Sequence, residues 1–398
     1  MPGHPDTNPD TNPEPDLVFL GRRRLRGRGR RAVLAPARST GPGAARAALD
    51  LLREVEAVDG VPRVLMGSIP FDPAAPAHLV VPGTVLEVGA EEAGPGEVPQ
   101  PRSAHPVEPL DALDAPDDPG YRRAVARAVA AIGDGTLQKV VLARSADLRA
   151  DAPIDTGALL AAFTAGNPAA YAFHVPLRDG AVLVGASPEL VAEVAAGVVR
   201  SHPLAGTAAR QPDPARDDRA RTDLLASAKD RAEHAFLVEA LAAGLRPLTS
   251  ALHVPAGPSV LGTPRLWHLG TPLTGTLRPG TSALDVACAV HPTPAVGGLP
   301  AAAAARFLAE VEPGDRGTYA GLVGWMDSAG DGEWALALRC AAVRGDRARV
   351  HAGAGVVAGS DPAAEHAETA AKMRTALSAL AAVAPGLRLR HERELVTS

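Results

Sequence analysis

Aromatic side chains are scarce in this chain: three Trp, three Tyr and six Phe in 398 residues, 3% in all. That removes the stacking platforms on which single-stranded nucleic acid is held. Cysteine is scarcer still. Cys288 and Cys340 are the only two. They lie far apart, each inside an apolar run, and read as buried thiols of a reducing cytosol, not as a disulfide framework or a zinc site. No uninterrupted apolar run is long enough to span a bilayer. The opening Met1-Pro2-Gly3-His4, followed by Asp, Asn and Pro, has no apolar stretch of the kind a secretory signal carries. A large excess of one charge is also missing. The formal net charge of -5 gives no global pull toward nucleic acid or an anionic membrane.

What is present is apolar residue in quantity, 46% of the chain, enough for a sizeable core. The length allows two or three domains of about 100–200 residues, or one large one. Residues 1–16 are rich in Pro, Asp and Asn and read as a disordered tail. A basic run, Arg22 to Arg31, holds seven arginines. It lacks interleaved aromatics and sits in an acidic chain, so it reads as an arginine-rich surface strand and turn. Residues 43–57 read as an amphipathic helix and 62–68 as a strand. The Pro-, Glu- and Asp-rich span 91–118 reads as an exposed connection.

The pattern tightens from about residue 118. Helix is expected over 119–133 and a long helix over 217–245, with Leu224, Leu225, Ala228, Ala232, Phe236 and Leu237 as its apolar positions. Further helices are expected near 282–290, 301–311 and 362–384. Strands are expected at 137–146, 170–176, 181–185, 189–195, 197–201, 258–262, 265–276, 319–326, 334–343 and 347–354. Strands come in runs with helices between the groups, which implies an α+β fold with large, mostly antiparallel sheets. The division expected is a tail 1–16, an N-terminal part with its connection 17–117, a main region 118–385, and a C-terminal tail 386–398.

The span Ala352-Gly353-Ala354-Gly355-Val356 to Asp361-Pro362, followed by Glu365, Glu368 and Lys372, concentrates the chemistry. Glycines let a backbone approach a ligand closely. Asp361 and Pro362 read as helix cap and first helical residue. Spacings of three and four put Glu365, Glu368 and Lys372 on one helix face. Two carboxylates and an amine there suit Mg²⁺ and a second anion; a capped surface helix with a Glu–Lys pair is the plainer alternative.

Other candidates carry paired readings. Lys139 in Leu137-Gln138-Lys139-Val140-Val141 is either a buried amine, lowered in pKa and able to act as a base, or a solvent-facing edge lysine. Glu189 after Ser187-Pro188 is either an acid with raised pKa or an exposed strand-start carboxylate. Glu233 is either a metal carboxylate or the surface partner of Lys229. Pro203-Leu204-Ala205-Gly206-Thr207 offers a glycine turn that could touch a ligand. His268 and His291 are candidate polar contacts, although lone histidines are more often structural. Arg339, flanked by apolar residues in an expected strand, calls for an anionic partner.

Lys-Val-Val-Leu-Ala-Arg, Ser-Pro-Glu-Leu, Pro-Leu-Ala-Gly-Thr, Lys-Asp-Arg-Ala-Glu-His, Trp-His-Leu-Gly-Thr-Pro, His-Pro-Thr-Pro-Ala-Val, Gly-Glu-Trp…Leu-Arg-Cys-Ala and Ala-Gly-Ala-Gly-Val-Val…Glu-Thr-Ala-Ala-Lys occur here in one order. Together, and with Gly67-Ser68-Ile69-Pro70-Phe71-Asp72-Pro73, they resemble the chorismate-utilising enzymes, and among them the isochorismate synthases, from about residue 16 to 385. The resemblance implies an α+β unit of two similar sheet-and-helix halves around one Mg²⁺-dependent site. It implies Lys139 as the base that activates water and Glu189 as the acid. It implies Glu233 and Glu368 as Mg²⁺ ligands, with Glu365 a nearby helper. Arg339, Lys372 and the Gly353 amide would receive a substrate carboxylate. Gly206, His268, Ala295 and Tyr319 would line the ring pocket. Chorismate is the implied substrate, for siderophore or menaquinone synthesis in the cytoplasm. A monomer is implied, with no glutaminase subunit, no nucleic acid and no membrane. Ala205 stands where relatives that make aminodeoxychorismate carry lysine. Tyr319 and Val296 depart from the isochorismate synthase pattern, and salicylate synthase, which goes on to expel pyruvate, is the alternative within the family.

Overall fold

The computed structural model describes residues 16–35, 43–56, 63–87, 115–262 and 266–389. The tail 1–15, most of the 91–118 connection and residues 390–398 lie outside the described residues. Among the described residues the chain forms eight α-helices, one 17-stranded sheet and one three-stranded sheet. Neighbouring strands pair antiparallel throughout, as the grouping of strand runs implies.

The strand that carries Lys139, Lys139–Arg149, is the spine of the site. It pairs with Arg347–Val356 along its whole length, from Arg149 opposite Arg347 to Val140 opposite Val356. Side chains alternate across a strand. Ala348, Val350 and Ala352 therefore pack under the helix Pro362–Val383, against Met373, Ala376, Leu377 and Leu380. His351, Gly353 and Gly355 face the other way. Asp361 caps that helix by accepting from the Ala364 amide, and Pro362 follows at its first turn, as expected. The N-terminal part is woven into the same sheet. Leu17–Leu20 pairs with Tyr171–Pro176, and Val64–Ile69 with Leu322–Asp327. The arginine run leads into the strand Arg24–Val33, with Leu25 and Gly27 buried, Arg26 half-buried between them, and Arg28, Arg30 and Arg31 exposed.

Several expectations need correction. The helix expected over 217–245 is two helices, Pro214–Ala226 and Ala228–Leu245. Ser227 ends the first and caps the second through the Asp230 amide, at an extended ψ of 114°. The break resets the helical face. Leu224 and Leu237 are buried, but Leu225, Ala228, Ala232 and Phe236 (38% exposed) are not. The strand expected over 265–276 splits into Leu266–Gly270 and Leu273–Leu277 around Pro272, which cannot donate to a ladder. The strand expected over 334–343 splits into Gly332–Leu336 and Cys340–Arg344, with Arg339 between them at a left-handed φ of 51°. Tyr319 lies in the turn before Leu322–Asp327 instead of inside a strand. The Gly206 turn is a strand, Leu204–Ala209, bulged where Gly206 takes a φ of 75°. The strand His78–Glu87 and the helix Thr156–Gly166 had no expected counterpart. Cys340 is buried, but Cys288 only partly so, and both are free thiols.

Trp334 anchors the main core at 0% exposure. Gly324 opposite it has no side chain because a Cβ there would lie 2.9 Å from the indole and 2.0 Å from the Glu333 carbonyl. Trp334→Ala is expected to cost about 3–5 kcal/mol, read as a lower urea midpoint with an unchanged denaturant slope.

Candidate active site

Lys139 is 1% exposed, so the buried reading holds and the edge reading does not. Its ammonium donates to Glu233 Oε1 at 2.7 Å. A buried charge needs such a partner, since an unpaired one would lose its hydration without recompense. Glu233, from the helix Ala228–Leu245, therefore pairs across the fold and not with the exposed Lys229 one turn away on its own helix. Burial pushes the Glu233 carboxyl up, but Lys139, Lys372 and Lys229 together outweigh it and hold it below its ordinary value. Gly355 closes the third side. A Cβ there would sit 3.0 Å from Glu233 Oε1 and 3.3 Å from Lys139 Cε.

Glu189 falls between the strands Val182–Ser187 and Leu190–Ala195, with its amide turned to the Ser187 hydroxyl. It is buried, and burial pushes its carboxyl up to about 7. A hydrogen bond from the Leu204 backbone and the fields of Lys139, Arg339 and Lys372 pull the other way and lose. The three cations singled out in the sequence thus converge on one acid.

The three-stranded sheet, Leu204–Ala209, Leu266–Gly270 and Ser259–Gly262, forms an adjoining wall. It presents Gly206, where a Cβ would touch Asp230 at 3.0 Å, and His268, whose Nδ1 lies 3.2 Å from the Thr207 hydroxyl. Burial drives His268 down to about 4, helped by Arg339 and Lys372, so its imidazole is neutral near pH 7. Asp217 fastens the helix Pro214–Ala226 to this wall by accepting from Trp267 Nε1 at 2.9 Å and from Arg210. Arg339 is lowered by burial and feels Tyr319, Glu368 and Glu189. Tyr319 stacks on His351 at 4.9 Å and 12°. Its hydroxyl lies 3.4 Å from where a side chain on Gly353 would begin. An open cavity of about 340 Å³ borders Tyr319 and His351 and is lined in part by Cys340 and Arg349. Ala295 is partly buried against the main core, two residues before the segment that hooks onto the Lys139 strand. His291 is structural: its Nε2 meets the Pro70 carbonyl at 3.1 Å.

Lys372 donates to Glu368 at 2.6 Å and to the Gly353 carbonyl at 2.9 Å. Glu365, buried, is raised first by burial and also by Glu368, while Ser360, Lys229 and Lys372 lower it. Glu233, Glu365 and Glu368 are hard oxygen donors, the type Mg²⁺ takes while keeping some of its waters. The donor set fits Mg²⁺ in kind. Among the described residues no three acidic, His or Cys side chains are already gathered as a metal cluster. One oxygen each of Glu233 and Glu368 is engaged by a lysine.

The residues brought together are therefore Lys139, Glu233, Gly355 and Glu189, with Arg339, His268, Gly206, Lys372, Gly353 and Glu368 around them. Sequence reasoning did not single out Gly355 as a contact of the Lys139–Glu233 pair. Its signal was visible, a glycine at every second strand position, which clears one face. The buried pair of Glu312 and Arg316 was missed as well.

Residues 92–381 match the family described as chorismate binding enzyme. Isochorismate synthase EntC of Escherichia coli (strain K12) is 44% identical over 317 residues, 79% of this chain and 80% of that protein. Isochorismate synthase DhbC of Bacillus subtilis (strain 168) is 42% identical over 324 residues, 80% of each. Among solved structures, MenF, the menaquinone-specific isochorismate synthase from Escherichia coli, is 28% identical. It superposes with a TM-score of 0.74 over 91% of this chain and 88% of that one.

The raised pKa of Glu189 has a consequence for stability. A carboxyl raised by folding stabilises most at low pH, where it is protonated in both states. That contribution is lost as pH rises through the folded value of about 7. Glu189→Gln cannot ionise. Its melting temperature relative to the parent protein is expected to climb from pH 5 to pH 8, roughly following one titration; a constant difference across that range would contradict the burial argument.

Proposed function

The chain belongs to the chorismate-binding enzymes, and from that premise we propose that it is an isochorismate synthase, which isomerises chorismate by adding water at ring C2 and losing the C4 hydroxyl. The observation that carries the proposal is the buried Lys139 amine, bonded to Glu233, with the buried, weakened acid Glu189 in its field.

In this reading Lys139 acts as the neutral amine, after its resting ammonium has given up a proton, and takes one from the incoming water. Glu189, protonated up to about pH 7, gives one to the departing hydroxyl, so that water leaves, the ring double bonds shift and no net charge changes. Arg339, Lys372 and the Gly353 amide receive the enolpyruvyl carboxylate. Glu233 and Glu368 would hold Mg²⁺ with Glu365 beside them; when bound, the ion supplies a fixed positive charge for the ring carboxylate. Gly206, His268, Ala295 and Tyr319 confine the ring, and the neutral imidazole of His268 adds no charge to it. Two substrate carboxylates thus meet separate positive anchors, which orients the ring between base and acid. Lys139 supports water as the nucleophile, and Ala205 leaves no lysine for a covalent route. A cytoplasmic monomer that needs no glutaminase subunit belongs to the same reading. Among the described residues no helix is long and apolar enough to cross a membrane. The product would serve siderophore or menaquinone synthesis, both of which start from isochorismate.

The deciding experiment is chromatography with mass detection of chorismate incubated with the protein and Mg²⁺, with and without an added isochorismate pyruvate-lyase. A new isomer of unchanged mass, converted to salicylate only by the lyase, is expected. Salicylate and pyruvate without the lyase would move the assignment to salicylate synthase. Lys139→Gln and Glu189→Gln are each expected to lower kcat by about 10²–10⁴-fold with unchanged circular dichroism. The parent's kcat should decline as pH rises past about 7, where Glu189 loses its proton. Metal binding is read separately, by calorimetry at a temperature where the variant stays folded: Glu233→Gln should weaken Mg²⁺ affinity, alongside a lower melting temperature because Lys139 loses its countercharge, and a parent enzyme fully active in excess EDTA would contradict the metal assignment.

A further inference from the structure

The strand Lys139–Arg149 has a full partner on one edge, in Arg347–Val356, and only two short ones at the ends of the other, Gly298–Leu299 beside Lys139 and Arg388–Leu389 beside Arg149. There Gly298 and Leu299 pair with Val140 and Lys139, and the Gly297 carbonyl takes the Val141 amide at 2.8 Å. Backbone pairing then lapses until Leu148 and Arg149. The next groups on that edge, the Val141 carbonyl and the Ala143 amide, belong to buried residues and still need partners.

A side-chain ion pair supplies them. Arg316 Nη2 donates to the Val141 carbonyl at 2.6 Å, and Glu312 Oε1 accepts from the Ala143 amide at 2.8 Å. The two side chains are locked together, Arg316 Nε to Glu312 Oε2 at 2.8 Å and Nη2 to Oε1 at 2.5 Å, with Arg316 buried and Glu312 largely so. Arg316 reaches further. Its Nη1 donates to the Val296 carbonyl at 2.7 Å, and its guanidinium lies over Phe71 at 4.3 Å. Its own carbonyl accepts from the Tyr319 amide at 3.0 Å. The two side chains thus tie the strand of Lys139 to the segment of Ala295, and the Arg316 backbone holds the turn of Tyr319, so one residue pair joins three places on which the proposed site draws. Lysine could not replace it, since only the planar guanidinium fork reaches three acceptors in fixed directions.

We propose that Glu312 and Arg316 are positioning residues of the active site: a side-chain surrogate for the missing stretch of strand, which sets Lys139, Ala295 and Tyr319 relative to one another. The inference rests on the isochorismate synthase reading for the reaction that is measured.

The test compares Arg316→Lys, Arg316→Met, Glu312→Gln and the apolar pair Glu312→Leu/Arg316→Met by steady-state kinetics and thermal melting. Arg316→Lys, which keeps the charge but loses the fork, should lower kcat on the order of 10- to 100-fold through misplacement alone, with the KM for chorismate within about threefold of the parent. Glu312→Gln, which keeps an acceptor for the Ala143 amide, should lose less. The apolar pair should regain melting temperature over Arg316→Met without regaining kcat. Recovery of kcat together with stability in the apolar pair would make the residues merely structural and overturn the proposal. So would a kcat within about twofold of the parent in Arg316→Lys. Should Arg316→Met fail to fold, Arg316→Lys and Glu312→Gln decide the matter. A parent protein that leaves chorismate unchanged would instead overturn the functional reading, so the two failures are distinguishable.

Discussion

An ammonium sealed inside a β-sheet must find its countercharge within the fold, and much of this site follows from that demand on Lys139. Removing one member of such a pair strands the other and costs about 3–5 kcal/mol, a large part of a domain's net stability. Glu233 therefore has to arrive at 2.7 Å, whatever its own helix would prefer. The strand beside them has to shed its side chain at Gly355. The helix has to start afresh at Ser227, which turns Glu233 inward and leaves Phe236 facing solvent.

The same economy of charge shapes the pocket as a whole. Three cations, Lys139, Arg339 and Lys372, act on Glu189, yet desolvation still raises that carboxyl to about 7. Burial keeps His268 neutral, and two of the same cations add to it. A pocket with this balance favours a ligand with two negative groups, since it answers cations that the protein itself only partly neutralises. The carboxylates able to hold a metal are bonded to lysines for the same reason. Charge here is shared between partners instead of being fixed to one.

Much of this was legible in the sequence because it is written locally. The helix Pro119–Gly133, the capped start at Asp361 and Pro362, and the apolar, turn-bounded strands from Tyr171 to His202 depend on neighbouring residues. The motifs named Lys139, Glu189, Glu233 and Arg339 without saying which were buried. Burial of Lys139 is decided by strands more than 150 residues away, Gly298–Leu299 and Arg347–Val356, and no local pattern encodes it. The left-handed Arg339 was illegible because the residue type disfavours that conformation. The break at Ser227 was more readable than it proved, since Ser227 followed three residues later by Asp230 is a helix-start pattern inside the expected helix. Glu312 and Arg316 looked like any surface pair at helical spacing. Their role depends on a strand edge that only the assembled sheet exposes.

The weaving of the N-terminal strands into the sheet bears on how the chain is made. Leu17–Leu20 finds its partner in Tyr171–Pro176, and Val64–Ile69 finds one in Leu322–Asp327. A ribosome adds roughly 5–20 residues per second, so the first strands to emerge wait many seconds for the segments that complete them. Closure of such distant pairings is slow in any case. Until then apolar strand edges stand open on a nascent chain, which makes early synthesis, and not the finished enzyme, the stage most exposed to mispairing with other chains.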